Sequence, residues 1–365
     1  MHPYNDDRIF ERACKGLIEA GHKVILIATY PGNGIECGVE IIGLKKRKGI
    51  LRRIFSSFEA FWVARKTDSD VFHFHDPDLL PWMLILAYSG RKVVYDVHEN
   101  YESRAVKVPL PSFAKEFARR IYRKVENLFS SRFSGVTVVT DSMKELFNGV
   151  DKPIITTDNV VYVSRLKHLN ISFKKNSNYI IYTSGTNSKA RNCLQTIEAL
   201  PIIIEEFPDV QMWFVGRYYP EEYKITLMEK AMELNVKNNV KIEGMLSWEE
   251  NFKRTATAHL GCVFYENNLN NKVTLPNRLY EYMYCGICVL GEDFTEVRKV
   301  LDDTGAGICV DSSDPMSIAD KVIYLLKNPE NMLDMGKKGR KAVLEKYNYE
   351  NEIKKLDKFY RSITQ

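Results

Sequence analysis

Long apolar runs are missing from this chain. No stretch approaches the length needed to span a bilayer, and no secretory signal opens the sequence, so a cytoplasmic location is expected. The phosphate-binding pattern Gly-x-x-x-x-Gly-Lys-Ser/Thr is absent too, which excludes a P-loop nucleotidase. The seven cysteines are odd in number and scattered through apolar contexts, so reduced thiols are expected rather than a disulfide framework. Cys285-Gly-Ile-Cys288 has redox spacing, but it sits where a helix ends and a strand begins, away from any helix N-terminus that would favour a thiolate.

The 365 residues exceed what one core usually supports, so two domains are expected. The apolar fraction of 45% and charged fraction of 27% are those of an ordinary globular protein. The net charge of +5 is mild but uneven. Lys45, Lys46, Arg47, Lys48, Arg52 and Arg53 form one basic cluster, and Lys115, Arg119, Arg120, Arg123 and Lys124 a second. Neither lies in a nucleic-acid recognition element, so no nucleic acid is expected as a partner. The alternatives are a solvated face, an anionic lipid surface touched by Lys45–Arg53, or a phosphorylated substrate.

Apolar segments alternate between strand and helix signals along the whole chain. Asp7 to Ala20 has helical periodicity, and strands are predicted at Val24–Ala28, Val39–Leu44, Asp70–His75, Lys92–Asp96, Gly135–Thr140 and Pro153–Thr157. Helices are predicted over 50–66, 79–88 and 112–133, with Ser112 and Ser142 as N-caps. Asn159 to Asn178 is polar and aperiodic, a linker. The alternation resumes with strands at Tyr179–Thr183, Val210–Val215, Val240–Gly244, Leu260–Phe264, Cys288–Leu290 and Gly307–Val310, the first followed by a Ser184-Gly185 loop and a helix over 191–207, and ends in a helical tail broken near Asn348. This is the pattern of two doubly wound α/β domains with parallel sheets. Only six residues precede the first helix, so the first sheet is expected either to lack its innermost strand or to receive it from sequence upstream of Met1.

Ligands of doubly wound folds bind beyond the carboxyl ends of the strands. Polar residues crowd those ends here: Asn5-Asp-Asp-Arg8, His75-Asp-Pro-Asp78, Asp96-Val-His-Glu99 and Asp141-Ser142 in the first half, Ser184-Gly-Thr186, Gly216-Arg217, Glu243-Gly244, Tyr265-Glu266 and Gly291-Glu-Asp293 in the second. His73 and His75 share a strand face and, with Asp76, Asp78 and His98, raise a metal site as an alternative to hydrogen-bonded histidines; no metal is the expectation. In Leu275-Pro-Asn-Arg-Leu-Tyr-Glu-Tyr-Met-Tyr-Cys-Gly-Ile-Cys-Val-Leu290, Pro276 suits a helix's first turn and Gly286 its end, which sets Glu281 mid-helix among aromatic residues. That carboxylate is either solvated or an acceptor for the paired hydroxyls of a ribose.

The same stretch, continued through Asp293-Phe-Thr-Glu-Val-Arg298, resembles the donor-binding segment of the GT-B-fold glycosyltransferases of family 4, in the branch that builds bacterial surface polysaccharides. Phe72-His-Phe-His-Asp-Pro-Asp-Leu-Leu80 and Val94-Tyr-Asp-Val-His-Glu99 resemble that branch's acceptor-domain signatures, and Asn5-Asp-Asp-Arg-Ile-Phe10 resembles the segment after the family's first strand. The resemblance runs over nearly the whole chain. It implies two Rossmann-like domains facing across a cleft, an acceptor domain over 1–165 and a nucleotide-sugar donor domain over 174–347, with a helix over 348–365 returning to the first. It implies transfer of a sugar from a nucleoside diphosphate to a saccharide or lipid-linked saccharide, with retention, no cofactor and no metal, by a protein peripheral to the inner face of the plasma membrane.

By position, the resemblance assigns Glu281 to the ribose, Arg191 to the donor diphosphate and His98 to the donor sugar, and it sets Gly185, Thr186, Lys189, Gly216, Arg217 and Asn277 around the donor. Asp7, Arg8, His75, Asp76 and Glu99 fall on the acceptor side. Catalysis would be largely electrostatic, with domain closure excluding water. The chain departs from the family at two positions. Val273 stands where the first glutamate of the Glu-x7-Glu motif is expected, and Thr186 where a second phosphate-binding arginine is expected. These departures leave two other readings in view: a catalytically weak subunit that binds sugar nucleotides, and an epimerase acting on the sugar nucleotide itself.

Overall fold

A computed structural model describes residues 4–47, 52–101 and 111–365. It divides the chain into two compact units, one ending at Asn159 that also takes in Tyr349–Gln365, the other Val160–Asn348. The sequence reading had left 160–165 with the first domain. Part of the predicted helix over 50–66, and Lys48 of the first basic cluster, lie outside the described residues.

The first unit opens with Asp7–Cys14, wound wider than an α-helix, and continues as Lys15–Glu19. Asp6 caps it, its carboxylate accepting from the backbone N–H of Arg8 and Ile9 at 3.0 Å each. Strand β1 (Ile25–Thr29) pairs in parallel with β3 (Val39–Leu44), and β2 (Asn33–Glu36) lies antiparallel on the far side of β3. The sequence reading missed β2, because its Asn-Gly-Ile-Glu carries no apolar alternation. A second, parallel sheet holds β4 (Val71–Phe74), β5 (Lys92–Val97), β6 (Gly135–Val138) and β7 (Ile154–Thr156) in that order. Two capping predictions fail: Pro111 precedes the Ser112–Ser130 helix, and Thr140 rather than Ser142 precedes Asp141–Lys144.

Among the described residues no strand joins β1 to β4. A cavity of about 1060 Å³ lies there, lined by Ile25–Ala28 of β1 and Val71–Phe74 of β4. The gap falls where the sequence analysis left the innermost strand either absent or supplied from upstream of Met1. The helix Tyr349–Thr364 closes the unit by burying Ile353, Leu356, Phe359 and Tyr360, while His22 Nε2 lies 2.8 Å from Asp357.

The second unit has one continuous sheet of β8 (Ile180–Ser188), β9 (Gln211–Tyr219), β10 (Val240–Glu243), β11 (Leu260–Val263), β12 (Cys288–Glu292) and β13 (Gly307–Val310). All pairings are parallel and the order is β10-β9-β8-β11-β12-β13. Its core draws on Met212, Phe214, Leu227, Leu260, Leu290 and Val322, all fully buried or nearly so. The strand order reverses between β8 and β11, the place where open parallel sheets leave a crevice for ligands. The helix predicted over 191–207 is two, Cys193–Glu198 and Leu200–Glu206, because Pro201 lacks the N–H that a continuous helix needs.

Candidate active site

At the carboxyl end of β8 the structure corrects the sequence. Ser184-Gly-Thr186 is no loop: β8 runs on to Ser188 and pairs with β9 as far as Tyr219. The extension is polar, so apolar periodicity could not reveal it. Gly185 (φ +93°) lies opposite Gly216 (φ +131°), and a Cβ on Gly216 would stand 2.0 Å from the Gly185 carbonyl oxygen. Both conformation and space demand glycine there. The chain then turns through Lys189–Arg191, and the next helix starts only at Cys193. The helix start expected at Arg191 is therefore two residues further on. Thr186, Lys189 and Arg217 are exposed along this edge.

Arg191 lies behind it, its guanidinium carbon 3.5 Å from the Tyr265 ring centroid, and Arg278 approaches the same ring at 4.8 Å. Arg278 is buried and donates to Thr183 Oγ1 at 3.3 Å, to the Ser184 carbonyl at 3.1 Å and to the Phe264 carbonyl at 3.4 Å. Among the described residues neither arginine forms an ion pair, and Arg191 Nη1 is buried without a partner. Burial, reinforced by Arg278, pushes the Arg191 guanidinium down to about 8, far below an arginine's ordinary value. Two neighbouring cations with no ion-pair partner among the described residues make this a positively charged spot. Glu292 steadies the platform: it accepts from the Tyr265 N–H at 3.3 Å and the Ser312 N–H at 3.2 Å, while Asn192 Nδ2 donates to Ser312 Oγ at 2.7 Å. Burial raises the Glu292 carboxyl to about 7 against those bonds.

The helix beside this site runs Asn277–Tyr284, with Pro276 just before it at the capping position. Six of its eight residues are buried; the two that are not are Asn277 and Glu281. They stand four apart and so share one face. Tyr282 accepts from the Ser184 N–H at 2.9 Å and ties this helix to β8. Gly286 (φ +66°) releases the chain into β12.

In the first unit Asp96, at the end of β5 and 2% exposed, is the centre of a cluster. Arg8 Nη2 donates to its two oxygens at 3.0 and 3.1 Å, Thr137 Oγ1 donates at 2.6 Å, and His75 Nδ1 lies 2.8 Å from Oδ2. Burial would raise the Asp96 carboxyl, but Arg8 and His75 outweigh it and hold it well below the usual carboxylate range. His98 Nδ1 is 3.9 Å from Asp96, and the Tyr101 hydroxyl is 3.3 Å from His98 Nε2. Asp7 turns to Arg12 at 2.5 Å, while Asp76 and Glu99 are half-buried at the strand ends.

A family model for group 1 glycosyl transferases matches residues 164–342, and one for glycosyltransferase family 4 matches residues 8–164. The chain is a family 4 glycosyltransferase with the GT-B fold. A phosphatidyl-myo-inositol mannosyltransferase of Mycobacterium tuberculosis is 21% identical over 272 residues, 73% of this chain and 67% of that protein. Among solved structures, the sucrose-phosphate synthase of Thermosynechococcus elongatus superposes with a TM-score of 0.73 at 16% identity, over 96% of this chain and 91% of that one. HepE of Anabaena, solved with UDP, gives 0.64 at 14% identity over 89% and 86%.

In this glycosyltransferase, sequence reasoning missed Arg278, Tyr265, Glu292 and Asp96 as site members. Each lay in a stretch marked at a strand end or in the donor motif; what was hidden was their convergence. His73, His75 and Asp96 bring potential metal ligands within 4.8 Å of one another. Both Asp96 oxygens are already engaged by Arg8, His75 and Thr137, and His73, stacked on His75 at 4.9 Å, is driven to about 3 by burial and by His75. The cluster fits an arginine better than a metal ion.

Proposed function

We propose that the second unit binds a nucleoside diphosphate sugar, with Arg191 and Arg278 on the diphosphate and Glu281, beside Asn277, on the ribose. The observation that carries this reading is the pair of acid-free arginines on Tyr265 at the switch point of the sheet. Arg278 takes up the charge that Thr186 does not supply, which weighs against a catalytically weak subunit. Gly185, Thr186, Lys189, Gly216 and Arg217 form the rim on which the phosphates and sugar rest. HepE, solved with UDP, is a relative in fold with such a ligand.

On this reading the anomeric C–O bond breaks toward the diphosphate, and the two guanidiniums stabilise the charge that develops there. The acceptor is a hydroxyl of a saccharide or lipid-linked saccharide, and the related mannosyltransferase is named for a phosphatidyl-inositol acceptor. Arg8, His75, His98, Asp76 and Glu99 serve the acceptor and the donor sugar, Asp96 fixing Arg8 and His75. Neither a metal nor an enzymic nucleophile is required, and we infer retention of configuration, in surface polysaccharide assembly at the cytoplasmic face of the membrane. Among the described residues no helix is long and apolar enough to cross it. Of the basic cluster, Arg47 is paired with Glu59 and Arg53 with Asp78 at 3.3 Å, which leaves Lys45, Lys46 and Arg52 exposed for lipid contact.

Calorimetric titration with UDP and GDP tests the donor assignment. Arg191→Met should weaken binding by about tenfold to a hundredfold, the worth of a charged hydrogen bond. Glu281→Ala should weaken the diphosphate far more than inorganic pyrophosphate, which has no ribose. Equal binding of UDP or GDP by wild type and Arg191→Met would refute the assignment.

A further inference from the structure

The loop after β5 is held from two sides. On one side stands the helix Ser112–Ser130, which turns charge toward the sheet. Glu126, 1% exposed, accepts from the hydroxyl of Tyr95, the residue before Asp96, at 3.0 Å, and from that of Tyr122 at 3.1 Å. Arg123 donates to the other Glu126 oxygen at 2.7 Å through Nη1, and to Asn100 Oδ1 at 3.2 Å through Nη2. One helix thus grips the chain just before Asp96 and just after Glu99, and Asn100 is itself buried. An ion pair this buried is a costly way to fill space, because apolar residues of similar volume often serve stability as well or better. What the pair adds is direction: a planar guanidinium donates along fixed lines, here to Glu126 and to Asn100.

On the other side is Tyr101, also buried. Its hydroxyl donates to the His75 carbonyl at 3.2 Å and lies 3.3 Å from His98 Nε2, with the Tyr101 and His98 rings edge to face at 5.9 Å. A phenol has one hydrogen, and a carbonyl oxygen can only accept. With that hydrogen on the His75 carbonyl, the contact with His98 is completed by a hydrogen on Nε2. The imidazole is then turned and protonated in one way, with Nδ1 toward Asp96 at 3.9 Å.

We propose that Tyr101 and Arg123 are positioning residues for His98. Tyr101 holds the ring and keeps its hydrogen on Nε2. Arg123, through Asn100, holds the loop that carries both. The consequence for catalysis rests on the reading of His98 as a contact of the donor sugar, where a misplacement of about 1 Å costs on the order of a hundredfold in rate. The setting of the ring itself does not rest on that reading.

Nitrogen-15 NMR of the full chain labelled at histidine tests it, at about pH 8.5 where ordinary imidazoles are neutral. His98→Gln assigns the signal. Wild type should give one set of His98 signals, with the hydrogen on Nε2. Tyr101→Phe keeps the ring and removes the hydroxyl; the tautomer ratio should move toward Nδ1–H by about fivefold, the worth of one hydrogen bond. Arg123→Met removes the ion pair, whereas Asn100→Ala leaves it in place and so carries the test if the first variant fails to fold. Each should broaden or double the His98 signals, while those of His168 and His259 in the second unit stay as they are. A hydrogen on Nδ1 alone in wild type, or His98 signals unchanged in either Tyr101→Phe or Asn100→Ala, would overturn the proposal. UDP and GDP titration keeps the two readings apart: wild type that binds neither refutes the donor assignment, and the His98 spectrum still decides this one.

Discussion

The two units hold their charges in opposite ways. In the first, Asp96 is buried and saturated: Arg8, His75 and Thr137 satisfy its oxygens from within the fold. In the second, Arg191 and Arg278 share a tyrosine platform and have no acid among the described residues. The sheets differ in the same sense, but reversed. The second unit's six strands are continuous, whereas the first unit's are split by a cavity of about 1060 Å³. A satisfied cluster is a rigid surface that can present side chains without a ligand. An unsatisfied cation pair is incomplete until an anion arrives. Stability measurements in the absence of ligand should therefore separate the two.

The largest effect is expected at the saturated end. Asp96→Ala leaves Arg8 charged and buried without its partner, which should destabilise the first unit by about 3–5 kcal/mol. Urea unfolding followed by Trp fluorescence checks it. A loss below about 1 kcal/mol would mean that the cluster is solvated and that the contrast between the units is false.

Next comes Glu292. Its folded-state value near 7 lies above the ordinary 4.5, so the folded chain holds more protons than the unfolded chain between those limits. Stability should fall as pH rises from about 4.5 to about 7 and level off above, by on the order of 2–3 kcal/mol in all. Glu292→Gln should flatten that slope. A slope that persists in the variant would assign it to other groups.

A pair of substitutions probes the sheets. Ala64 lines the first unit's cavity, while Ala319 is fully buried in the second unit's core. Ala319→Leu should cost about 1–3 kcal/mol by overpacking. Ala64→Leu should be neutral or stabilise by up to about 1 kcal/mol, because the space beside it is empty. Equal losses at both positions would show the cavity to be closed to side chains.

Much of this contrast was legible in the sequence. Alternating strand and helix periods located nearly every element. Glu281 stood out by its motif, and the structure adds that it and Asn277 are the residues its helix leaves unburied. What stayed hidden depends on convergence or on polar pairing. The extension of β8 to Ser188 has no apolar period to announce it, and β2 is equally polar. Arg278 looked like any helix arginine until its neighbours were known.

The smallest change in stability is expected at Arg191, and its smallness is the informative part. Removing one charge from a paired cluster strands its partner, as Asp96→Ala strands Arg8. Removing one from a pair that lacks an acid relieves desolvation and the repulsion from Arg278, the two causes that depress Arg191. Arg191→Met, which keeps the packing on Tyr265, should therefore leave unfolding within about 1 kcal/mol of wild type or raise stability slightly when no nucleotide is present. With UDP or GDP added, wild type should gain stability by mass action and the variant should gain much less. If Arg191→Met instead loses several kcal/mol without ligand, then Arg191 is a structural cation with a partner, and the second unit's site is as self-satisfied as the first.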